Sequence, residues 1–145
     1  MTFDHSIPVL IVDDTDAVRR ILVSLVKRIG FTRVDGATDG ADALFKMGMK
    51  KYGLVISDWQ MEPVDGYALL KAIRTDERLV ATPFIMITVH TDVEKVVAAK
   101  NAGVNAFLSK PFSAKTLRDK IALAWQYQPK QTNSILQVQD PLDWL

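Results

Sequence analysis

The sequence predicts an α/β protein built on a doubly wound, five-stranded parallel sheet with helices on both faces. Five short apolar segments alternate along the chain with segments whose apolar residues recur at helical spacing. The short segments are apolar at consecutive positions, which is typical of strands covered on both sides. Because right-handed crossovers through helices make successive strands parallel, the alternation favours a parallel sheet.

The first half of the chain supplies three of the predicted strands. Residues 9–12 form the first strand, and residues 31–37 and 54–56 form the second and the third. The helix after the first strand ends at Gly30, because glycine readily adopts the conformation found just beyond helix ends. A shorter helix lies between the second and third strands. The positions that identify these two helices are Val18, Ile21, Leu22, Leu25, Val26 and Ile29, and then Ala41, Leu44, Phe45 and Gly48.

The second half supplies the other two strands and three helices. A helix is predicted over residues 67–74, and strands over residues 83–87 and 106–108. A capping box that begins at Thr91 predicts the start of the fourth helix, and Ser113 is predicted to cap the fifth. The apolar residues of these helices are Leu69, Leu70 and Ile73, then Val93, Val96 and Val97, and finally Leu117, Ile121 and Trp125.

Composition narrows the classes of function. The 145 residues are 48% hydrophobic and 24% charged, which suits one globular domain and excludes a disordered chain. The absence of cysteine excludes a disulfide scaffold, a thiolate zinc site and a cysteine nucleophile. No apolar run approaches the ~20 residues that span a bilayer. The amino terminus shows no signal-peptide pattern, so we expect a cytoplasmic protein. The net charge of +1 gives no general attraction to nucleic acid.

Polar residues that can do chemistry stand where the predicted strands end. Asp13 and Asp14 follow the first strand, and Asp58 follows the third. Thr88 ends the fourth strand and Lys110 follows the fifth. In doubly wound sheets the ligand crevice lies beyond the carboxyl ends of the strands. Clustered carboxylates fit a hard cation such as Mg²⁺, and a lysine with a hydroxyl can bind phosphoryl oxygens. The pattern therefore predicts an aspartate that accepts a phosphoryl group beside its metal.

The same residues resemble those of the receiver domain of two-component response regulators, over about residues 7–127. The matching segments are Val12-Asp13-Asp14, Asp58 with Met61 and Asp65-Gly66, Thr88, Ala102-Gly103, and Phe107-Leu108-Ser109-Lys110-Pro111-Phe112. The resemblance implies a flavodoxin-like strand order, 2-1-3-4-5, and a cis peptide bond between Lys110 and Pro111.

The resemblance also assigns roles within the site. Asp58 would accept a phosphoryl group from a histidine kinase or a histidine phosphotransfer protein. Mg²⁺ would be held by Asp14, Asp58 and the backbone carbonyl of Gln60, with Asp13 contributing through water. Lys110 would contact the phosphoryl group. Thr88 would hydrogen-bond to it, and Phe107 would be the rotameric switch that follows Thr88 inward. The protein would then be a signalling switch, and its only enzymatic chemistry would be its own phosphorylation and dephosphorylation.

The type of receiver that the sequence most resembles is the free-standing, chemotaxis-type one. Residues 1–127 would form the receiver and residues 128–145 a tail, which leaves no room for a DNA-binding output domain. Asn105 stands where transcription-factor receivers tend to carry an acidic residue, so their symmetric dimer is not expected. We expect no binding to DNA or membranes, and a downstream protein partner at the face formed by the fourth helix, fifth strand and fifth helix.

Several residues depart from the family pattern. Glu62 stands where the family usually has proline, which has moved to Pro63. Val89 occupies a position that is usually small and could narrow access to the phosphoryl group. Gln60 and His90 occupy the positions at which family members tune the rate of hydrolysis. Trp59 is predicted to be a partly exposed lid over the crevice. Lysine and arginine residues make the last two helices basic, namely Lys95, Lys100, Lys115, Arg118 and Lys120.

Two other functions and the role of the tail stay open at this point. A pseudo-receiver would keep the fold without phosphorylation and act as a scaffold. An aspartate-nucleophile phosphatase uses similar groups, but its nucleophile lies in an Asp-x-Asp sequence on the first strand. The tail combines a polar stretch, residues 131–134, with six large apolar residues and the acids Asp140 and Asp143. It is either a disordered end or a segment that docks on its own domain, a second copy or a partner, with Trp144 as the anchor.

Overall fold

The structure, a computed structural model, describes residues 4–89 and 92–126. Five strands and five helices alternate along these residues, as predicted. The strands are β1 (Val9–Val12), β2 (Val34–Ala37), β3 (Leu54–Asp58), β4 (Phe84–Thr88) and β5 (Ala106–Ser109). The helices are α1 (Asp16–Ile29), α2 (Gly40–Met49), α3 (Gly66–Thr75), α4 (Val93–Asn101) and α5 (Ala114–Gln126).

The strands form one parallel sheet in the order β2-β1-β3-β4-β5, which confirms the predicted fold class. Side chains alternate between its two faces, and each face is buried under helices. One apolar cluster joins the sheet to α1 and α5. The other joins it to α2, α3 and α4. Burial of both faces explains why the strands are apolar at consecutive positions. It also leaves the carboxyl edge of the sheet as the place where polar groups can gather.

The helix ends follow ordinary capping chemistry, with one correction to the sequence prediction. Gly30 ends α1 with φ of 126°, and the Ser113 hydroxyl accepts a hydrogen bond from the backbone N–H of Thr116 (3.1 Å), both as predicted. The predicted capping box at Thr91 is wrong, because α4 begins one residue later. Asp92 caps it by accepting from the N–H of Lys95 (2.9 Å). Val93, predicted to lie on the buried face of this helix, is 49% exposed.

The helices bury narrower faces than their apolar spacing suggests. Ile21 of α1 is 60% exposed and Phe45 of α2 is 65% exposed, although both belong to the apolar patterns that identified those helices. In α2 the smaller Ala43 and the flexible Met47 are buried in the core, and Leu44 packs against it while partly exposed. The second strand is also shorter than predicted. It begins at Val34, and Phe31 is instead a buried residue of the connection that follows α1.

A partly buried arginine joins α3 to the segments before β4 and β5. Arg74 donates hydrogen bonds to the carbonyl oxygens of Gly103 (2.9 Å) and Thr82 (2.7 Å) and to Oδ1 of Asn105 (2.8 Å). The same Asn105 oxygen accepts from the backbone N–H of Phe84 (2.8 Å). Asn105 thus accepts two hydrogen bonds inside the domain through one oxygen, and it links Arg74 of α3 to the start of β4. Among the described residues, no helix is long and apolar enough to cross a membrane.

Candidate functional site

Three carboxylates meet at the carboxyl edge of the sheet. Asp13 and Asp14 follow β1 directly, and Asp58 is the last residue of the neighbouring strand β3. One carboxylate oxygen from each lies within 4.8 Å of the others. Asp13 and Asp58 are buried, whereas Asp14 is exposed to solvent. The structure therefore brings together the three acids that the sequence assigned to a metal site.

Asp13 shows an unsatisfied oxygen in this cluster. Its Oδ1 accepts a hydrogen bond from the N–H of Thr15 (2.8 Å). Its Oδ2 is buried and has no hydrogen-bond partner among the described residues. Burial raises the pKa of Asp13, against the opposing effects of the Thr15 N–H and of Lys110. Because a buried polar atom is costly unless it is satisfied, an oxygen-preferring cation such as Mg²⁺ fits this set of donors.

Lys110 extends from the end of β5 to Asp58. Its Nζ lies 3.3 Å from Oδ1 of Asp58, and its backbone N–H donates to the carbonyl of Thr88 (2.9 Å). The Lys110–Pro111 peptide bond is cis, as predicted, and so is Glu62–Pro63. Burial raises the pKa of Asp58, the ammonium of Lys110 opposes that rise, and the nearby Asp13 adds to it. A cation thus faces the Asp58 carboxylate within the acidic cluster.

Thr88 stands at the same edge, as the last residue of β4. It is buried and pairs in register with Ser109, the residue before Lys110. Val89, the next residue, is 58% exposed. Gln60 and Glu62 are exposed on the loop that follows β3. His90 lies outside the described residues. The site therefore gathers the three acids, Lys110 and Thr88, while the described residues assigned to tuning lie on exposed loops.

Trp59 is buried, and the prediction of a partly exposed lid is wrong. Only 7% of the residue is exposed. Its ring stacks on Tyr67 (centroids 5.4 Å apart, interplanar angle 2°) and meets the edge of Phe107 (6.2 Å). Nζ of Lys95 lies 5.0 Å from the Trp59 ring centroid, a distance at which a cation is attracted to the ring face. Trp59 therefore bridges α3, α4 and β5 from a position next to Asp58.

Tyr67 and Lys95 are members of this aromatic cluster that sequence reasoning missed. Tyr67 reads as the start of a helix, and Lys95 as part of a charged helix face. Their contacts depend on how the loop between β3 and α3 folds back, where the N–H of Gly66 donates to the carbonyl of Trp59 (2.8 Å). Helical periodicity describes one helix at a time and does not predict contacts that depend on the path of a loop. Phe107, which the sequence assigned to the switch, is fully buried in the same cluster.

A parallel doubly wound sheet with an acidic cluster and a lysine at its carboxyl edge is the arrangement of receiver domains. Comparison with known proteins agrees, since the model of the response regulator receiver domain family matches residues 9–122. The chain belongs to this family, and it is a receiver domain of the chemotaxis type.

The chain is similar to curated and structurally solved receivers over most of its length. It is 39% identical over 113 residues to the chemotaxis protein CheY of Pseudomonas aeruginosa, which covers 78% of this chain and 91% of the relative. It is 40% identical over 118 residues to chemotaxis protein CheY-3 of Vibrio cholerae, covering 81% and 91%.

Among solved structures, the chemotaxis response regulator CheY4 of Vibrio cholerae superimposes with a TM-score of 0.76 at 31% identity, covering 82% of this chain and 98% of that one. The response regulator receiver protein of Pseudomonas putida gives a TM-score of 0.74 at 33% identity, covering 81% and 96%. These likenesses extend the family assignment from the site residues to the arrangement of the whole sheet.

Proposed function

We propose that this receiver is a phosphorylation-controlled binding protein in which Asp58 accepts a phosphoryl group. The donor would be a histidine kinase or a histidine phosphotransfer protein of a two-component pathway. The observation that carries the proposal is the approach of Lys110 Nζ to 3.3 Å from Asp58, inside a cluster that also holds the unsatisfied oxygen of Asp13. Membership of the receiver family supports the same conclusion.

The proposed reaction transfers a phosphoryl group from a histidine nitrogen of the donor to a carboxylate oxygen of Asp58. A carboxylate oxygen of Asp58 attacks phosphorus, the P–N bond of the phosphohistidine breaks, and its electron pair stays on the imidazole. The product is an acyl phosphate, which water later hydrolyses to inorganic phosphate and the free carboxylate. Lys110 stabilises the negative charge on the phosphoryl oxygens, and the Thr88 hydroxyl donates a hydrogen bond to one of them.

We propose Mg²⁺ as the metal of this site. Asp13, Asp14, Asp58 and the backbone carbonyl of Gln60 would hold it, because hard divalent cations prefer oxygen ligands. When bound, it supplies positive charge for the phosphoryl oxygens as they approach the carboxylates. Asp13 and Asp14 thereby contribute to the site without acting as nucleophiles.

The output of phosphorylation would pass through Thr88 and Phe107. A hydrogen bond from Thr88 to the phosphoryl group draws this residue toward Asp58 and changes the space available to Phe107. Phe107 lies against Trp59, whose ring also contacts Lys95 of α4. We therefore place the regulated surface at α4, β5 and α5, where a downstream protein would bind.

Mass spectrometry after incubation with Mg²⁺ and acetyl phosphate tests this function. We expect one phosphoryl adduct on the wild type and none on Asp58→Asn, which keeps the shape of the side chain but removes the nucleophile. Asp119→Asn, an exposed acid on α5, is the matched control and should be labelled normally.

The other outcomes identify other functions. Labelling of Asp58→Asn at the wild-type level would move the acceptor to another residue. A wild type that forms no adduct would be a pseudo-receiver scaffold. Release of many phosphates per protein without a lasting adduct would indicate a phosphatase.

A further inference from the structure

A basic groove runs between α1 and β2, at the edge of the sheet. Its volume is about 720 Å³. Because β2 is an edge strand, one side of this groove is open to whatever approaches the domain. The floor includes two half-buried valines and the rim carries four cations, so the groove matches a ligand that is both acidic and apolar. These residues are Val23 and Val34, and Arg19, Arg20, Lys27 and Arg28.

The cations at the carboxyl end of α1 are available for a partner. Lys27 and Arg28 are exposed, and within residues 4–89 and 92–126 neither forms an ion pair. Arg19, by contrast, is already engaged, since it pairs with Asp16 and donates to the carbonyl of Asp13 (2.8 Å). The groove therefore offers two uncompensated charges at the end that is farther from the acidic cluster.

The basic face of α4 and α5 is less available than its sequence suggests. Lys95 lies over the ring of Trp59, and Lys115 pairs with Asp119 (3.1 Å). Lys120 is only 9% exposed. Three of the five cations on these helices are thus engaged or covered within the domain. The α1–β2 groove, by contrast, offers an acidic segment the adjacent cations Lys27 and Arg28, which form no ion pair among the described residues.

Residues 127–145 lie outside the described part of the chain, and α5, which precedes them, ends at the same edge of the sheet as α1. The side chains of α1 and α5 share one apolar cluster, and both helices run opposite to the parallel strands, so their carboxyl ends lie at the same edge of the sheet. To reach the groove from Gln126 the chain must pass around the end of α1, whose width is about 10–12 Å. The eight residues 127–134 span up to about 26–29 Å when extended, which is sufficient.

We propose that residues 135–145 of this chain dock into the α1–β2 groove of the same molecule. Asp140 and Asp143 face Lys27 and Arg28, and the apolar residues of the segment cover the valine floor. The segment carries six large apolar residues for this purpose, Ile135, Leu136, Val138, Leu142, Trp144 and Leu145. Docking covers the outer side of an edge strand, a surface that otherwise invites pairing with other chains.

Paramagnetic broadening in NMR spectra of the full-length protein tests the proposal. Because the chain has no cysteine, a nitroxide on a Gln139→Cys variant labels one position. We expect loss of amide signals from Val23, Lys27, Val34 and Gly36, and recovery of these signals after reduction of the nitroxide. The double charge reversal Lys27→Glu/Arg28→Glu should abolish the broadening. The matched reversal Lys115→Glu/Arg118→Glu on α5 should leave it unchanged.

A compensating change separates loss of docking from loss of folding. Adding Asp140→Lys/Asp143→Lys to the reversed α1 variant should restore the broadening if opposite charges meet in the groove. Broadening confined to α4, β5 and α5, or no broadening at all, overturns the proposal. A mixture of spin-labelled protein without ¹⁵N and ¹⁵N-enriched protein without a spin label shows whether the segment docks on its own molecule or on a second copy. If the groove signals broaden in this mixture, the segment docks on a second copy, and the intramolecular arrangement is wrong.

Discussion

Replacing Asp13 with asparagine should make the metal-free protein more stable while weakening its response to Mg²⁺. The substitution keeps the oxygen that accepts from Thr15 and puts an NH₂ group where the buried, unpartnered Oδ2 now lies. An amide can donate a hydrogen bond to a neighbouring carboxylate, whereas a carboxylate only repels it. The variant therefore separates the cost of assembling the acidic cluster from its use as a metal site.

The magnitude follows from the spacing of the acids. At 4.8 Å, the upper limit of the separation between these oxygens, two unit charges repel by about 3.5 kcal/mol at an effective dielectric constant near 20, and by about 0.9 kcal/mol in water. Asp58 is buried like Asp13, whereas Asp14 is exposed. The repulsions of Asp13 with Asp58 and with Asp14 therefore lie between these two values, and the positive charge of Lys110 offsets part of them. We expect the free energy of unfolding to rise by about 1–3 kcal/mol.

Urea unfolding in EDTA and in Mg²⁺ measures both effects. At a free Mg²⁺ concentration about ten times the dissociation constant, binding should stabilise the wild type by about 1.4 kcal/mol. Asp13→Asn should show a smaller gain, and Asp14→Asn none. Glu77→Gln removes the same charge from an exposed site and serves as control. An Asp13→Asn protein that is less stable than the wild type in EDTA would refute the reasoning.

Three other predictions concern different parts of the molecule. The Tyr52 hydroxyl donates to Asp35 (2.7 Å) and, with Lys50, lowers the pKa of that carboxyl. Tyr52→Phe should therefore cost about 1 kcal/mol at neutral pH. Because a depressed carboxyl pKa stabilises only the ionised form, the difference should shrink as pH falls through the pKa of Asp35, as urea unfolding at several pH values would show. Val89→Ala should speed both phosphorylation by acetyl phosphate and hydrolysis, and unchanged rates would exclude steric gating. The NMR environment of Phe107 should change on adding beryllofluoride, and an unchanged environment would contradict the proposed coupling.

The sheet and the acidic cluster could be predicted because they depend on short-range patterns. Consecutive apolar residues identify strands buried on both faces, and polar residues directly after those strands must lie at one edge. Asp13, Asp58 and Lys110 lie together because each stands at the carboxyl end of a strand of this sheet. The sequence predicts the cap of α4 one residue too early because threonine and aspartate are both good caps, and sequence alone does not choose between Thr91 and Asp92.

The contacts around Trp59 and Arg74 could not be predicted, since both depend on packing between distant segments. Trp59 follows a buried strand, where a bulky side chain could equally turn outward. It is buried because Tyr67 and Lys95 arrive from two helices. Arg74 reads as an ordinary cation in the last turn of a helix, yet it donates to carbonyls 8 and 29 residues away in sequence. Spacing rules describe one element at a time and do not report such links.

The surroundings of Asp58 include a backbone contact at Gly66 on one side and side-chain contacts through Trp59 on the other. A Cβ at position 66 would lie 2.2 Å from the carbonyl oxygen of Asp58, so the two backbone segments are in close contact there and a side chain does not fit without a shift. The start of α3 therefore packs directly on β3, the strand that carries Asp58, and a movement between them would require the backbone to shift. Trp59, by contrast, contacts Lys95 of α4 and Phe107 of β5, as well as Tyr67 of α3, through its ring. Side-chain contacts of this kind can adjust by rotation about side-chain bonds. We therefore expect phosphorylation of Asp58 to displace α4 and β5 more than the start of α3.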